Sequence, residues 1–344
     1  MRAALMKGPG ILVVEDVPEP IVPEGGLLLE VVACAICGTD AKMLEAGHKD
    51  LVYPRILGHE IVARIIFSPV EKHVEGDLVQ VWPGISCASC RPCAKGIDNQ
   101  CPSISILGFN WDGGFAQRLG LPKGSVTCNG LVPVPEGFDP ALVALAEPLA
   151  CCMNGQELAR VGPGDNVLIF GAGPIGSLHA QLARYRGAKR IIMTEHLESR
   201  RNILPKGLAD RVIDPSNEDI ISVVEEETNG EGADVVLMST PEVRVDNWLL
   251  KLMAPQGRIS VFSGPKKGNY EVPFDIRTLH YKEISVVGAY GCSSRQDREA
   301  VKMIVDGTID VSWLVTERIG LEDLPRTFRR INERRGMKSV VTKF

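Results

Sequence analysis

Cys87, Cys90, Cys93 and Cys101 fall within fifteen residues at spacings of two, two and seven. Four thiolates so close together can complete a tetrahedral zinc site with no open position, which is a structural arrangement rather than a catalytic one. Iron–sulfur clusters also take four cysteines, but the gap of seven departs from the ferredoxin run and favours zinc. A second constellation is dispersed: Cys37-Gly38-Thr39-Asp40, Gly58-His59-Glu60 and Glu147-Pro148-Leu149. One soft donor, one imidazole and two carboxylates can hold zinc and leave a position open for water or substrate. Spacing alone does not single this set out, because an isolated His or buried Glu is more often structural. A third motif, Gly171-Ala172-Gly173-Pro174-Ile175-Gly176, offers a phosphate cradle.

That glycine run stands between an apolar stretch at 167–170 and a helical pattern at Leu178, Leu182 and Tyr185, with Glu195 at the end of the next apolar run. A strand before, a helix after and a carboxylate 24 residues beyond Gly171 is the context a dinucleotide site requires. The glycines permit the turn, the approach of a pyrophosphate and close helix–strand packing, and the helix N-terminus faces the phosphates. Further apolar runs at 191–193, 234–238, 258–262 and 284–287 alternate with amphipathic stretches, which predicts βαβ units and a parallel sheet. The first half differs in texture. Runs at 26–33, 61–66 and 77–81 are bounded by Gly and Pro, helical periodicity is scarce, and a β-barrel-like or sandwich domain is expected. Asp139 or Pro140 can start a helix through 145, helices are expected at 298–306 and 323–335, and a last strand at 338–344 can return to the first domain.

The length of 344 residues sets a prior of about two domains. Hydrophobic residues make up 44% and charged residues 24%, which excludes a disordered chain, a collagen-like fibre and a coiled coil. The net charge of −5 supplies no basic field for nucleic acid or anionic lipid. The start breaks before a signal-peptide apolar region forms, and no apolar run reaches the length of a membrane span. A cytoplasmic protein with no membrane and no nucleic-acid partner is expected, with its ten cysteines reduced.

Taken together, in this order along the chain, the motifs resemble the zinc-dependent medium-chain dehydrogenase/reductase (alcohol dehydrogenase) family, and within it the sorbitol (L-iditol) dehydrogenase-like polyol branch. The resemblance implies an α/β chain with a β-barrel: a GroES-like catalytic domain over 1–148 and 290–344, carrying the structural zinc lobe 87–101, and a doubly wound Rossmann domain over 149–289. It implies two zinc ions per subunit, with Cys87, Cys90, Cys93 and Cys101 holding the structural one and Cys37, His59, Glu60 and Glu147 the catalytic one. Glu147 either ligates that zinc or holds its water. Asp40 resembles the carboxylate that orients His59, and Thr39 the hydroxyl that starts a proton relay. Gly171, Gly173, Pro174, Ile175, Gly176, Glu195 and Arg200 would bind NAD, with NADP possible through Arg200 and Arg201.

The activity so implied is hydride transfer between a secondary alcohol, a polyol or sugar derivative, and NAD(P)+. A homo-oligomer is expected, a tetramer ahead of a dimer. Two departures stand out. The position three after Thr39 is Lys42 where many relatives have histidine, and 289–292 lacks the arginine that polyol enzymes often carry. The competing readings are a zinc-free quinone or enoyl reductase, which would lack both cysteine-containing sets, and a binding protein built on the zinc lobe alone, whose surroundings lack basic and aromatic clustering.

Overall fold

The computed structural model describes residues 1–264 and 270–344. The chain forms two compact units, Met1–Ala150 with Cys292–Phe344, and Cys151–Gly291. The first is β-rich. Its larger sheet has seven strands, with Leu131–Pro133, Leu78–Val81, Glu60–Phe67, Leu27–Ala35, Lys338–Lys343 and Val315–Gly320 in that spatial order; Arg118–Leu121 also pairs with Leu27–Ala35. A three-stranded sheet orders Ile11–Asp16, Arg2–Gly8 and Arg55–Ile56. Alternation along Leu27–Ala35 turns Leu27, Leu29 and Val31 into a core with Ile61, Ile65, Phe115 and Phe328. The expected last strand does return here: Val340 lies opposite Ala35.

Helices in this unit depart from the sequence reading. Gly38–Ala46 is helical although its apolar periodicity is weak. Its start is fixed by a capping box instead: Cys37 Sγ accepts the Thr39 N–H, and Asp40 Oδ2 accepts the Cys37 N–H at 3.0 Å. The helix expected from Asp139 through 145 is the short Pro140–Val143, capped by Asp139, and a second helix not expected from the sequence, Ala146–Leu158, follows with Glu147 in its first turn. Pro148 is tolerated because first-turn N–H groups have no helical acceptor. The helix expected at 298–306 starts earlier, as Ser294–Val305, because Ser293 and Gln296 form a second capping box.

The second unit holds a six-stranded, wholly parallel sheet in the order Arg211–Ile213, Arg190–Thr194, Asn166–Phe170, Ala233–Met238, Met253–Val261, Ser285–Gly288. The chain begins in the middle and winds outward to both edges, so the strand order reverses beside Asn166–Phe170, where such sheets bind ligands. Every residue of that strand is buried, as a parallel strand covered on both faces must be. Among the described residues, no helix is long and apolar enough to cross a membrane.

His179 lies fully buried in the helix Pro174–Tyr185, edge-on to Phe262 at 4.8 Å. Burial, helped by Arg186, pushes its pKa down to about 3. The folded chain therefore keeps the ring neutral where the unfolded chain, titrating near 6.5, binds a proton. Stability from this group is complete above pH 6.5 and declines as pH falls toward 3, by up to about 1.4 kcal/mol per unit. Thermal unfolding from pH 7 to pH 4.5 should fall more steeply for the wild type than for His179→Gln; parallel curves would refute a buried neutral histidine.

Candidate functional site: a three-donor zinc centre, a thiolate lobe and a dinucleotide cradle

Strand register assembles the first donor set. Ala35 is flanked by Glu60 on one side and Val340 on the other, so the chain just past Ala35 meets the start of one neighbouring strand and of the last one. Cys37 Sγ, a His59 nitrogen and a Glu60 carboxylate oxygen all come within 4.8 Å of one another. Gly58 permits the approach: it sits at φ +94°, and a Cβ there would meet Cys34 Sγ at 2.9 Å and the Phe115 ring at 3.0 Å.

Asp40, fully buried, places an oxygen 3.1 Å from His59 Nδ1, the placement by which a carboxylate steadies an imidazole ligand. Burial opposes protonation of His59, but the charge of Asp40 and the neighbouring Cys37 outweigh it and hold its pKa well above the ordinary value. A sulfur, an imidazole and a carboxylate are a zinc donor set, and an ion here would replace the proton that Asp40 otherwise favours. Glu147, 8% exposed, stands apart from this trio, its carboxylate within 4.8 Å of Cys292 Sγ. Thr39 is half-buried in the first helical turn, and Lys42 is exposed on the same helix.

Two features escape a reading by motifs. Lys338, 4% exposed, places Nζ 2.5 Å from both Glu60 oxygens and 3.2 Å from the Ile36 carbonyl. Burial pulls its amine down, but Glu60 more than compensates and raises it. Phe109 packs on His59 at 5.6 Å between ring centres and on His48 at 5.4 Å, walling one side of the imidazole. Neither is detectable without the fold.

The four-cysteine lobe converges as its spacing suggests. Its sulfurs all lie within 4.8 Å of one another; Cys90 and Cys93 are 3.4 Å apart, Cys101 and Cys87 3.6 Å, and Cys87 and Cys93 4.0 Å. Tetrahedral ligation at about 2.3 Å requires sulfurs about 3.8 Å apart. All ten cysteines are free thiols. The backbone N–H of Ser89, with further donors from Ser89 and Cys90, lowers the Cys87 thiol to about 6, favouring the thiolate. These residues fit a closed zinc site.

In the second unit Gly173 is the N-cap and Pro174 the first residue of the helix Pro174–Tyr185. A Cβ on Gly176 would fall 1.8 Å from the Gly171 carbonyl oxygen, so only glycine lets the helix lie this close to the strand end. Glu195, 4% exposed, follows Arg190–Thr194; its carboxylate accepts the Ala172 N–H at 3.2 Å and the Leu197 N–H at 3.0 Å. Arg200 stands over the turn, its guanidinium 3.0 Å from where a Cβ on Gly173 would be. Arg201 is committed elsewhere, to the Glu195 carbonyl and to Asp214 at 2.9 Å. The turn with its helix N-terminus, Glu195 and Arg200 fits a dinucleotide pyrophosphate and ribose.

The two donor sets should respond differently to loss of a ligand. Cys93→Ser should remove one zinc per chain and lower the unfolding temperature by several degrees, because a closed site contributes to folding. An unchanged metal content and unfolding temperature would refute the structural role.

Comparison with known proteins places the chain. Residues 23–135 match the alcohol dehydrogenase GroES-like domain, and residues 174–306 match the zinc-binding dehydrogenase family. L-galactonate-5-dehydrogenase of Escherichia coli K12 is 30% identical over 99% of this chain and 99% of its own. Scyllo-inosose 3-dehydrogenase of Thermotoga maritima is 28% identical over 95% of this chain and 88% of its own. A zinc-binding dehydrogenase from Sinorhizobium meliloti 1021, solved with NADP bound, superposes with a TM-score of 0.89 at 28% identity, over 99% of this chain and 98% of that one. Agreement along nearly the whole length, in both units, makes this chain a member of the zinc-dependent medium-chain dehydrogenase family, an oxidoreductase of alcohols that uses NAD(P).

Proposed function

We infer that the protein oxidises a secondary alcohol on a polyol or sugar acid to the ketone, with NAD as the preferred cofactor. The observation that carries this reading is the convergence of Cys37, His59 and Glu60 to within 4.8 Å, with Asp40 behind the imidazole. Zinc held there would make the alcohol more acidic, and the nicotinamide would take the hydride from its carbon. The chain supplies the rest. Asp40 keeps His59 in one orientation, and Lys338 restrains Glu60 at both oxygens. Glu147 offers a second carboxylate that ligates the metal or holds its water. Thr39 takes the alcohol proton and passes it outward. Lys42 is exposed and, in our reading, is not needed as a terminal base. Glu195 accepts from the ribose hydroxyls and repels a 2′-phosphate, with Arg200 partly offsetting that repulsion.

Ten free thiols suit a reducing cytoplasm. Self-association, as a tetramer in our reading, is supported by the exposed edge strand Ser285–Gly288 and by the neighbouring Ile276 and Tyr281, 71% and 76% exposed.

The test is a metal assay together with reduced-cofactor absorbance across sugar acids, pentitols, cyclitols and L-threonine, each with NAD and NADP. Two zincs per chain, turnover of a polyol or sugar acid and a higher kcat/KM with NAD are expected. A clear NADP preference would refute the role of Glu195, and turnover of L-threonine alone would refute the substrate class. For the proton path, Thr39→Val should lower kcat by about a hundredfold or more. Lys42→Ala should lower it by less than about tenfold, under 1.4 kcal/mol of barrier. A collapsed kcat in Lys42→Ala that added amines restore would make Lys42 the terminal base instead.

A further inference from the structure

The four-cysteine lobe uses its sulfurs on one another, yet one buried carboxylate inside it reaches out. Asp98 opens the 3-10 turn Asp98–Gln100 and is 7% exposed. Both its oxygens serve a single residue 196 positions away: Oδ1 accepts the Ser294 N–H at 3.0 Å, and Oδ2 accepts the Ser294 hydroxyl at 2.6 Å. Ser294 begins the helix Ser294–Val305, where a carboxylate also meets the positive end of the helix dipole. The same turn is held from a second side by the Trp82 indole, which donates to the Cys292 carbonyl at 3.0 Å.

The groups this turn presents matter more than the turn itself. Cys292 Sγ is within 4.8 Å of the Glu147 carboxylate. Asp297, one turn along the helix and fully buried, accepts Gln80 Nε2 at 3.1 Å through Oδ1, while its Oδ2 has no hydrogen-bond partner. Segment 292–297 is thus tied to the lobe through Asp98 at one point and set against Glu147 at another.

We propose that Asp98 is a positioning residue for the reaction: it locks segment 292–297 to the thiolate lobe, and thereby fixes the place of Cys292 beside Glu147. This rests on the reading of Glu147 as a carboxylate of the reaction centre. On this view the lobe does more than stabilise the fold, because its integrity is transmitted to the wall of the substrate site.

The test compares zinc-loaded wild type with Asp98→Ala, Asp98→Asn, Ser294→Ala and Glu147→Gln. It measures zinc per chain, kcat, KM for NAD, and the iodoacetamide alkylation rate of Cys292, with buried Cys34 as internal reference. Asp98→Ala should keep both zincs and raise Cys292 alkylation about tenfold or more with Cys34 unchanged. It should lower kcat about tenfold while KM for NAD stays within about twofold. Asp98→Asn keeps one acceptor for Ser294 and should recover part of both effects. Ser294→Ala removes only the hydroxyl bond, should fall between, and carries the test if Asp98→Ala does not fold. Wild-type alkylation and kcat in zinc-loaded Asp98→Ala, or Cys292 and Cys34 rising together, would overturn the proposal. Full activity in Glu147→Gln would instead overturn the role of Glu147, while Cys292 alkylation would still decide the role of Asp98.

Discussion

A carboxylate and an ammonium withdrawn from water at the middle of a sheet are the interaction on which the first unit depends. Glu60 is 0% and Lys338 4% exposed. Each alone would be costly by several kcal/mol, and together they are tolerable only in contact. The pair therefore joins the first residue of one strand to the first residue of the last, with Leu27–Ala35 running between them. Everything near Cys37 takes its position from that register. The capping box that starts the helix at Gly38, the carboxylate behind His59 and the glycine at 58 are local solutions within a frame that the ion pair closes.

How much of this is legible in the sequence follows from how local each determinant is. The glycine turn and the thiolate lobe are readable because their chemistry is complete within about fifteen to twenty-five residues. The parallel sheet is readable because each of its buried strands forms a continuous apolar run. The helix Gly38–Ala46 is not readable by periodicity, since its signal is a cap made by a cysteine, which is not among the usual capping residues. Cys37, His59 and Glu60 gain their meaning from resemblance and from strand register, not from spacing. Lys338 and Asp98 carry no motif at all. Their partners lie 278 and 196 residues away, and a single lysine or aspartate in sequence looks like any solvated charge.

The two units differ in how they answer to charge as well. In the second, the buried titratable ring of His179 is kept neutral, and the sheet is closed by apolar contact. In the first, Glu60 is matched by Lys338 and His59 by Asp40, which is what a metal centre requires of its surroundings.

The position of the last strand bears on how the protein is made. Lys338–Lys343 is not an edge; it lies between Leu27–Ala35 and Val315–Gly320. During synthesis, then, the first 150 residues emerge with Cys34 and Ala35 lacking their partners on one side, where Arg118–Leu121 covers only Leu27–Glu30, and with Glu60 lacking its counter-ion. They are followed by the whole of Cys151–Gly291, whose own strands are contiguous in the chain. The strands of the inserted unit are all made before Lys338, whereas the sheet of the first unit is incomplete until then. A chain cut short before Lys338 would therefore leave Val315–Gly320 detached from its sheet and Cys34 and Ala35 open on one side.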